Sequence, residues 1–153
     1  MRTFLTTFCL ASALASAALS ANNSVKIEHP IIFESLKVAK AAAGYMTVQN
    51  TGATDDRLIG AKTDFAHAMV HETKVDADGV ARMEHAEHGF VIPAGEAVEF
   101  LPGGKHVMLM RLSEQMVAGQ DRAITLVFEN AGQIEVVFKV ETRAEHAEHA
   151  PSE

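Results

Sequence analysis

From Val25 to Glu141, apolar and polar residues alternate in short runs, and the runs break at Gly, Pro, Asn and Asp. A period of two places successive side chains on opposite faces of an extended chain, whereas no long stretch keeps the three-and-four spacing of an amphipathic helix. Strands are therefore expected near "VKIEH", "IIFESLKVA", "GYMTVQN", "DRLIGAKT", "AHAMVHETK", "VARMEH", "AVEFL", "KHVMLMRL", "AITLVFE" and "IEVVFKVE". The segments "NTGATD", "DADG", "PAG", "LPGG" and "NAG" between them carry turn residues. A sheet with one apolar face must cover that face, so about nine short strands in one domain predict an all-β, antiparallel β-sandwich, immunoglobulin-like in its layering.

Both ends depart from this alternation. The opening "MRTFLTTFCLASALASAALSANNS" has an early arginine, an uncharged apolar run and an Ala/Ser-rich close, the make-up of a secretory signal peptide. Cleavage is expected near Ser20 or Ala21, which divides the chain into a signal segment 1–21, a β-sandwich domain 22–141 and a flexible His/Glu-rich tail 142–153. The apolar run is short for a membrane span and no second one follows, so the mature form is expected to be exported, periplasmic and without a span. Cys9, the only cysteine, leaves with the signal segment. The "TTF" before it lacks the small residues of a lipoprotein signal, and the mature domain is left with neither thiol nor disulfide, a state compatible with an oxidising compartment.

The net charge of −7 becomes about −8 when Arg2 is removed, and no basic cluster remains to neutralise phosphates, so nucleic acid is not an expected partner. The candidate chemistry lies in the histidines and methionines. The whole chain has eight His, seven Met including the initiator, and no Trp. Thioether sulfur is a soft, uncharged ligand and imidazole is borderline, so a mixed His/Met set selects copper, Cu(I) above all.

In "HVM", His106 and Met108 are two apart and share a strand face. His71 and Met83 flank the turn "DADG" at nearly equal distances, so a hairpin would set them opposite or almost opposite each other. The four residues would make a four-coordinate pocket. On spacing alone the competing reading stands beside it, because methionines in a β-protein are commonly core filler. Met110 shares the face of His106 and Met108 and is assigned to packing or support of the site. Met69 and His67 share the parity of His71 and are weaker candidates, and Met46 and Met116 read as structural.

The runs "AAGYMTVQNTGATDDRLIGAKT", "VHET" with "DGVARM", and "VIPAGEAVEFLPGGKHVMLMRL" resemble the PCu(A)C family of periplasmic copper chaperones over most of the mature chain. That family's His, Met and His-x-Met signature falls on His71, Met83, His106 and Met108. The resemblance implies a cupredoxin-like β-sandwich that binds Cu(I) through these residues. It further implies delivery to an acceptor, such as the dinuclear copper centre in cytochrome c oxidase subunit II or another copper chaperone. Two departures are visible: Glu72 and Thr73 follow His71 where the family commonly has a Met, and "MEHAEH" stands where "MRP" is frequent.

The pentapeptide "EHAEH" occurs twice, at 84–88 and 145–149, and supplies His85, His88, His146 and His149. Imidazole with carboxylate suits Cu(II) or Zn(II), making these residues candidates for a secondary metal site; incidental histidines on a solvated surface are the other reading. A blue-copper electron carrier needs a cysteine thiolate that the mature chain lacks, and no HExxH helix suggests a zinc enzyme, so the chain is not expected to be an enzyme. A copper buffer or resistance protein without a dedicated acceptor would use the same residues and remains open.

Overall fold

In the computed structural model, which describes residues 24–149, the alternating runs form ten strands: β1 (Val25–Phe33), β2 (Ala41–Asn50), β3 (Asp56–Lys62), β4 (His67–Val75), β5 (Ala81–His85), β6 (Phe90–Ile92), β7 (Ala97–Phe100), β8 (Lys105–Met110), β9 (Asp121–Phe128) and β10 (Gln133–Glu141). A single short helix, α1 (Arg143–His149), follows them. The expected signal segment 1–21 and the last residues of the expected tail lie outside the described residues.

The strands pair in the order β5-β4-β8-β2-β1-β10-β9-β3-β6, with β7 added to the far half of β2. All pairings are antiparallel except that of β1 with β10. The expected sandwich is the observed one, and its apolar faces meet in one core. Ile124, Leu126 and Phe128 of β9 and Val136, Phe138 and Val140 of β10 enter that core at every second position, together with Val70, Val107 and Leu109 from β4 and β8. Met46 and Met116 are buried there, as expected of structural methionines.

Two buried polar side chains pin the loops. The Asp56 carboxylate accepts hydrogen bonds from the backbone N–H groups of Asn130 and Ala131, each at 2.9 Å, fastening the β9–β10 turn to β3. The Asn50 amide donates to the carbonyls of Thr54 and Ile92, both at 2.9 Å. Buried groups satisfied in this way stabilise one arrangement of the loops, since the unsatisfied alternative is costly.

Three elements differ from the expectation. The first two predicted strands are one strand, β1, carried through an irregularity between Glu28 and Ile31, where His29 has φ of 49° and Pro30 offers no N–H. The run "IIFESLKVA" ends as a strand at Phe33. Beyond it the Glu34 amide makes one more bond to β10, at Glu141, the Ser35 amide turns to Met116 in a loop, and Leu36 and Val38 are 77% and 80% exposed. β6 was not expected, because three residues are too few to show a period.

The segment expected as a flexible tail contains α1. Thr142 and Glu145 form a capping box: the Glu145 N–H donates to Thr142 Oγ1 at 3.1 Å, and the Thr142 N–H donates to Glu145 Oε2 at 2.8 Å. The sequence "TRAE" carries that signal. It escapes a search for apolar periodicity because the helix has no apolar stripe.

Candidate metal centre

Strand β8 lies between β4 and β2, and its alternation divides two functions. Val107 and Leu109 turn inward and are fully buried, while His106, Met108 and Met110 project from the opposite face. The β4–β8 register sets His71 opposite His106, Met69 opposite Met108, and His67 opposite Met110. On the other side of β4, β5 sets His85 opposite His71 and Met83 opposite Thr73. Three imidazoles thus stand in a row on three adjacent strands, with ring centroids 5.4 Å apart for His85 and His71 and 6.0 Å for His71 and His106.

Each imidazole is held differently. His106 is 3% exposed despite lying on the outer face, with Tyr45 beside it at 6.4 Å between centroids. Its Nδ1 lies 3.0 Å from the Gly104 carbonyl. A carbonyl can only accept, so Nδ1 carries the proton and Nε2 presents its lone pair outward, the usual arrangement for a metal-binding histidine. The same logic applies to His85, whose Nδ1 donates to the Val70 carbonyl at 3.2 Å.

His71 has neither tie. Both of its ring nitrogens are shielded from solvent and neither has a hydrogen-bond partner. Native proteins rarely leave such a group unsatisfied, and the cost is of order 1–3 kcal/mol. Burial, followed by repulsion from His85 and His106, pushes the His71 pKa below its ordinary 6.5. The ring is therefore neutral at neutral pH, the form that can donate a lone pair to a metal.

The methionines fall into two groups. Met69, Met108 and Met110 are half-buried on the sheet face, whereas Met83 is 61% exposed on the edge strand. His71 and Met83 are near neighbours across the hairpin rather than direct partners, because the turn is closed by the Asp76 N–H on the Val80 carbonyl at 3.0 Å and holds Asp76 Oδ1 against the amides of Asp78 and Val80. That five-residue closure makes His85 the direct partner of His71 and leaves Met83 on its diagonal. Met110 meets exposed His67 and Ala41, beyond the imidazole row.

The remaining histidines are set apart. His88 is exposed in the turn after β5, where its carbonyl accepts from Arg57 at 3.2 Å. His146, on α1, rests edge-on against Phe33 at 5.2 Å, and Phe33 in turn meets Tyr45 at 5.3 Å, so two aromatic rings separate His146 from His106. The His149 side chain lies outside the described residues. Among the described residues, no three His, Cys, Asp or Glu side chains converge closely enough to hold an ion.

Fold and face together define a class: a β-sandwich that displays a soft patch of imidazoles and thioethers. The chain belongs to the family described as "Putative lipoprotein LpqE-like", whose model matches residues 25–140. Among curated proteins it is 38% identical over 107 residues to the "Putative lipoprotein Lxx21020" of Leifsonia xyli subsp. xyli, a match covering 66% of this chain and 64% of that protein. Among solved structures it is similar to the copper-bound PCuAC domain from PmoF2, with 32% identity, a TM-score of 0.64, and coverage of 78% of this chain and 93% of that one. It is also similar to apo-DR1885 from Deinococcus radiodurans, with 26% identity, a TM-score of 0.61 and coverage of 95% and 96%. The structural neighbours include PCuAC domains, as the sequence resemblance implied, although the matching family model bears another name.

Proposed function

We propose that this chain is an extracytoplasmic copper chaperone that binds Cu(I) through His71, Met83, His106 and Met108. The observation that carries the reading is the pair of shielded, unpartnered nitrogens on His71, set beside a His106 whose tautomer leaves Nε2 free and within a patch containing thioethers. A soft monovalent ion satisfies that set without introducing a buried charge pair, and neutral ligands release it by exchange rather than by protonation of a thiolate. The likeness to a copper-bound PCuAC domain supports the same metal.

The protein carries copper and does not turn over a substrate. Its location is the periplasm, supported by the signal-like leader and by the lipoprotein description of its family. Among the described residues no helix is long and apolar enough to cross a membrane. The acceptor is another copper protein, with the dinuclear centre of cytochrome c oxidase subunit II as the first candidate. Competition titration against a Cu(I)-specific chromophoric chelator is expected to show one tight site, lost when His106 and Met108 are both changed to Ala. Retention of that site in the double variant overturns the assignment.

A further inference from the structure

The ladder between β4 and β8 places four potential ligands at the corners of a square. His71 is paired with His106 and Met69 with Met108, and in each strand the His and the Met are separated by one residue. All four therefore project from the same face, and paired side chains start about 5 Å apart. The inward neighbours Val70, Val107 and Leu109 are fully buried and hold the corners in place from beneath. Met83 occupies a different position: it lies on the edge strand, diagonal to His71 and mostly exposed.

We infer that Met69 is an additional copper ligand, a sulfur that joins His71, His106 and Met108 on the β4–β8 face, with Met83 the outlying sulfur of the set, the one that exchanges. The inference rests on the copper reading above and concerns which sulfurs hold the ion. Two points support Met69 over a packing role. Its side chain lies on the outer face rather than in the core that Met46 and Met116 fill. It also directly faces Met108 and is two residues from His71, the ring with no other partner. A soft ion needs donors already gathered, because ordering exposed, rotamer-rich side chains costs entropy that half-buried ones have largely lost.

The division also gives release a direction. Met83 and His85 stand on β5, which among the described residues has a strand neighbour only on its β4 side, so an acceptor approaching that edge meets exposed donors before it meets the square. Met83 can leave the ion, or carry it outward, without disturbing the β4–β8 ladder.

The test compares Met69→Leu with Met83→Leu in the full mature chain, since Met and Leu exchange with little change of volume. Cu(I) affinity is read by chelator competition, the number of sulfur scatterers by X-ray absorption on the reduced protein, and each methionine by its 13C-methyl resonance. Expected results are an affinity at least about tenfold weaker for Met69→Leu, the scale on which even outer partners of metal ligands count, with one sulfur fewer and a Met69 methyl that shifts on loading. Met83→Leu is expected to weaken affinity less than Met69→Leu does and to slow transfer to the chelator. Unchanged affinity and sulfur count in Met69→Leu, or a Met69 methyl that does not move when copper binds to wild type, overturns the inference. If His106→Ala still abolishes binding in that case, the chaperone reading survives; if wild type binds no Cu(I), it fails as well. Amide NMR spectra of both variants establish that each is folded.

Discussion

The pentapeptide Glu-His-Ala-Glu-His occurs twice and takes two structures. At 84–88 it ends strand β5 and enters a turn; at 145–149 it is α-helix. The first copy is held by long-range bonds: the Ala86 N–H and His85 Nδ1 both donate to Val70, and Gly89 N–H closes the turn on Ala86 at 2.8 Å. The second copy is held by its own neighbour, the Thr142 cap. Histidine, glutamate and alanine have no strong preference for a strand, so what comes before and after each copy decides its conformation. The surroundings follow the same division, since the first copy puts His85 against His71 and the second puts His146 against Phe33.

The comparison breaks most severely at Gly89. Its φ is +65°, and a Cβ there would run into the Leu58 carbonyl of β3, so Gly89→Ala combines backbone strain with a collision against main chain. A loss of about 3 kcal/mol is expected in urea unfolding, the upper range for a strained residue. The variant's amide spectrum should lose the first copy's turn while α1 persists.

Next in size is His71, the residue the first copy faces. Replacing it with Val removes two unsatisfied buried nitrogens and is expected to raise the stability of the copper-free protein by about 1 kcal/mol, measured by thermal or urea unfolding, while abolishing copper binding. The pH dependence carries its own sign. The folded pKa of His71 lies below 6.5, so as pH falls through 6.5 the unfolded chain takes up a proton that the folded chain refuses. Stability is then lost progressively until the lower, folded pKa is reached. Melting of the copper-free protein should drop in this mildly acidic window, and the drop should be smaller in His71→Val.

The smallest effect belongs to the second copy. Thr142→Ala deletes the cap and is expected to destabilise α1 by about 1 kcal/mol. The readout is faster amide exchange at His146, whose N–H bonds to the Thr142 carbonyl at 3.1 Å. Protection of Ala86 should be unchanged. Equal loosening of both copies would show that the two are coupled rather than independently set.

Much of the candidate site's arrangement on the sheet was legible from strand parity. The opposite destinations of Val107 and Met108 follow from a period of two, as does the shared face of His106 with Met108. The placement of Met69 was not legible in the same way. Its parity with His71 was visible, but its pairing with Met108 depends on the register between two strands that are distant in sequence. The unsatisfied state of His71 was also invisible, because it arises from what three separate strands place around the ring. α1 was missed for a different reason: its local capping signal was present but has no hydrophobic period.

The amino-acid order by itself determined a β-rich chain, the inward and outward face of each strand, and a cluster of soft His and Met side chains along them. These are local properties, set by side-chain type and the alternation of an extended backbone. Only the tertiary structure decided that His71 lies between two other imidazoles, that Met69 faces Met108 while Met83 stands exposed at the edge, and that one pentapeptide is both strand and helix. The reason is that register and burial are settled by the packing of the whole sandwich, where hydrogen-bond ladders and a shared apolar core outweigh the small preferences of any short segment.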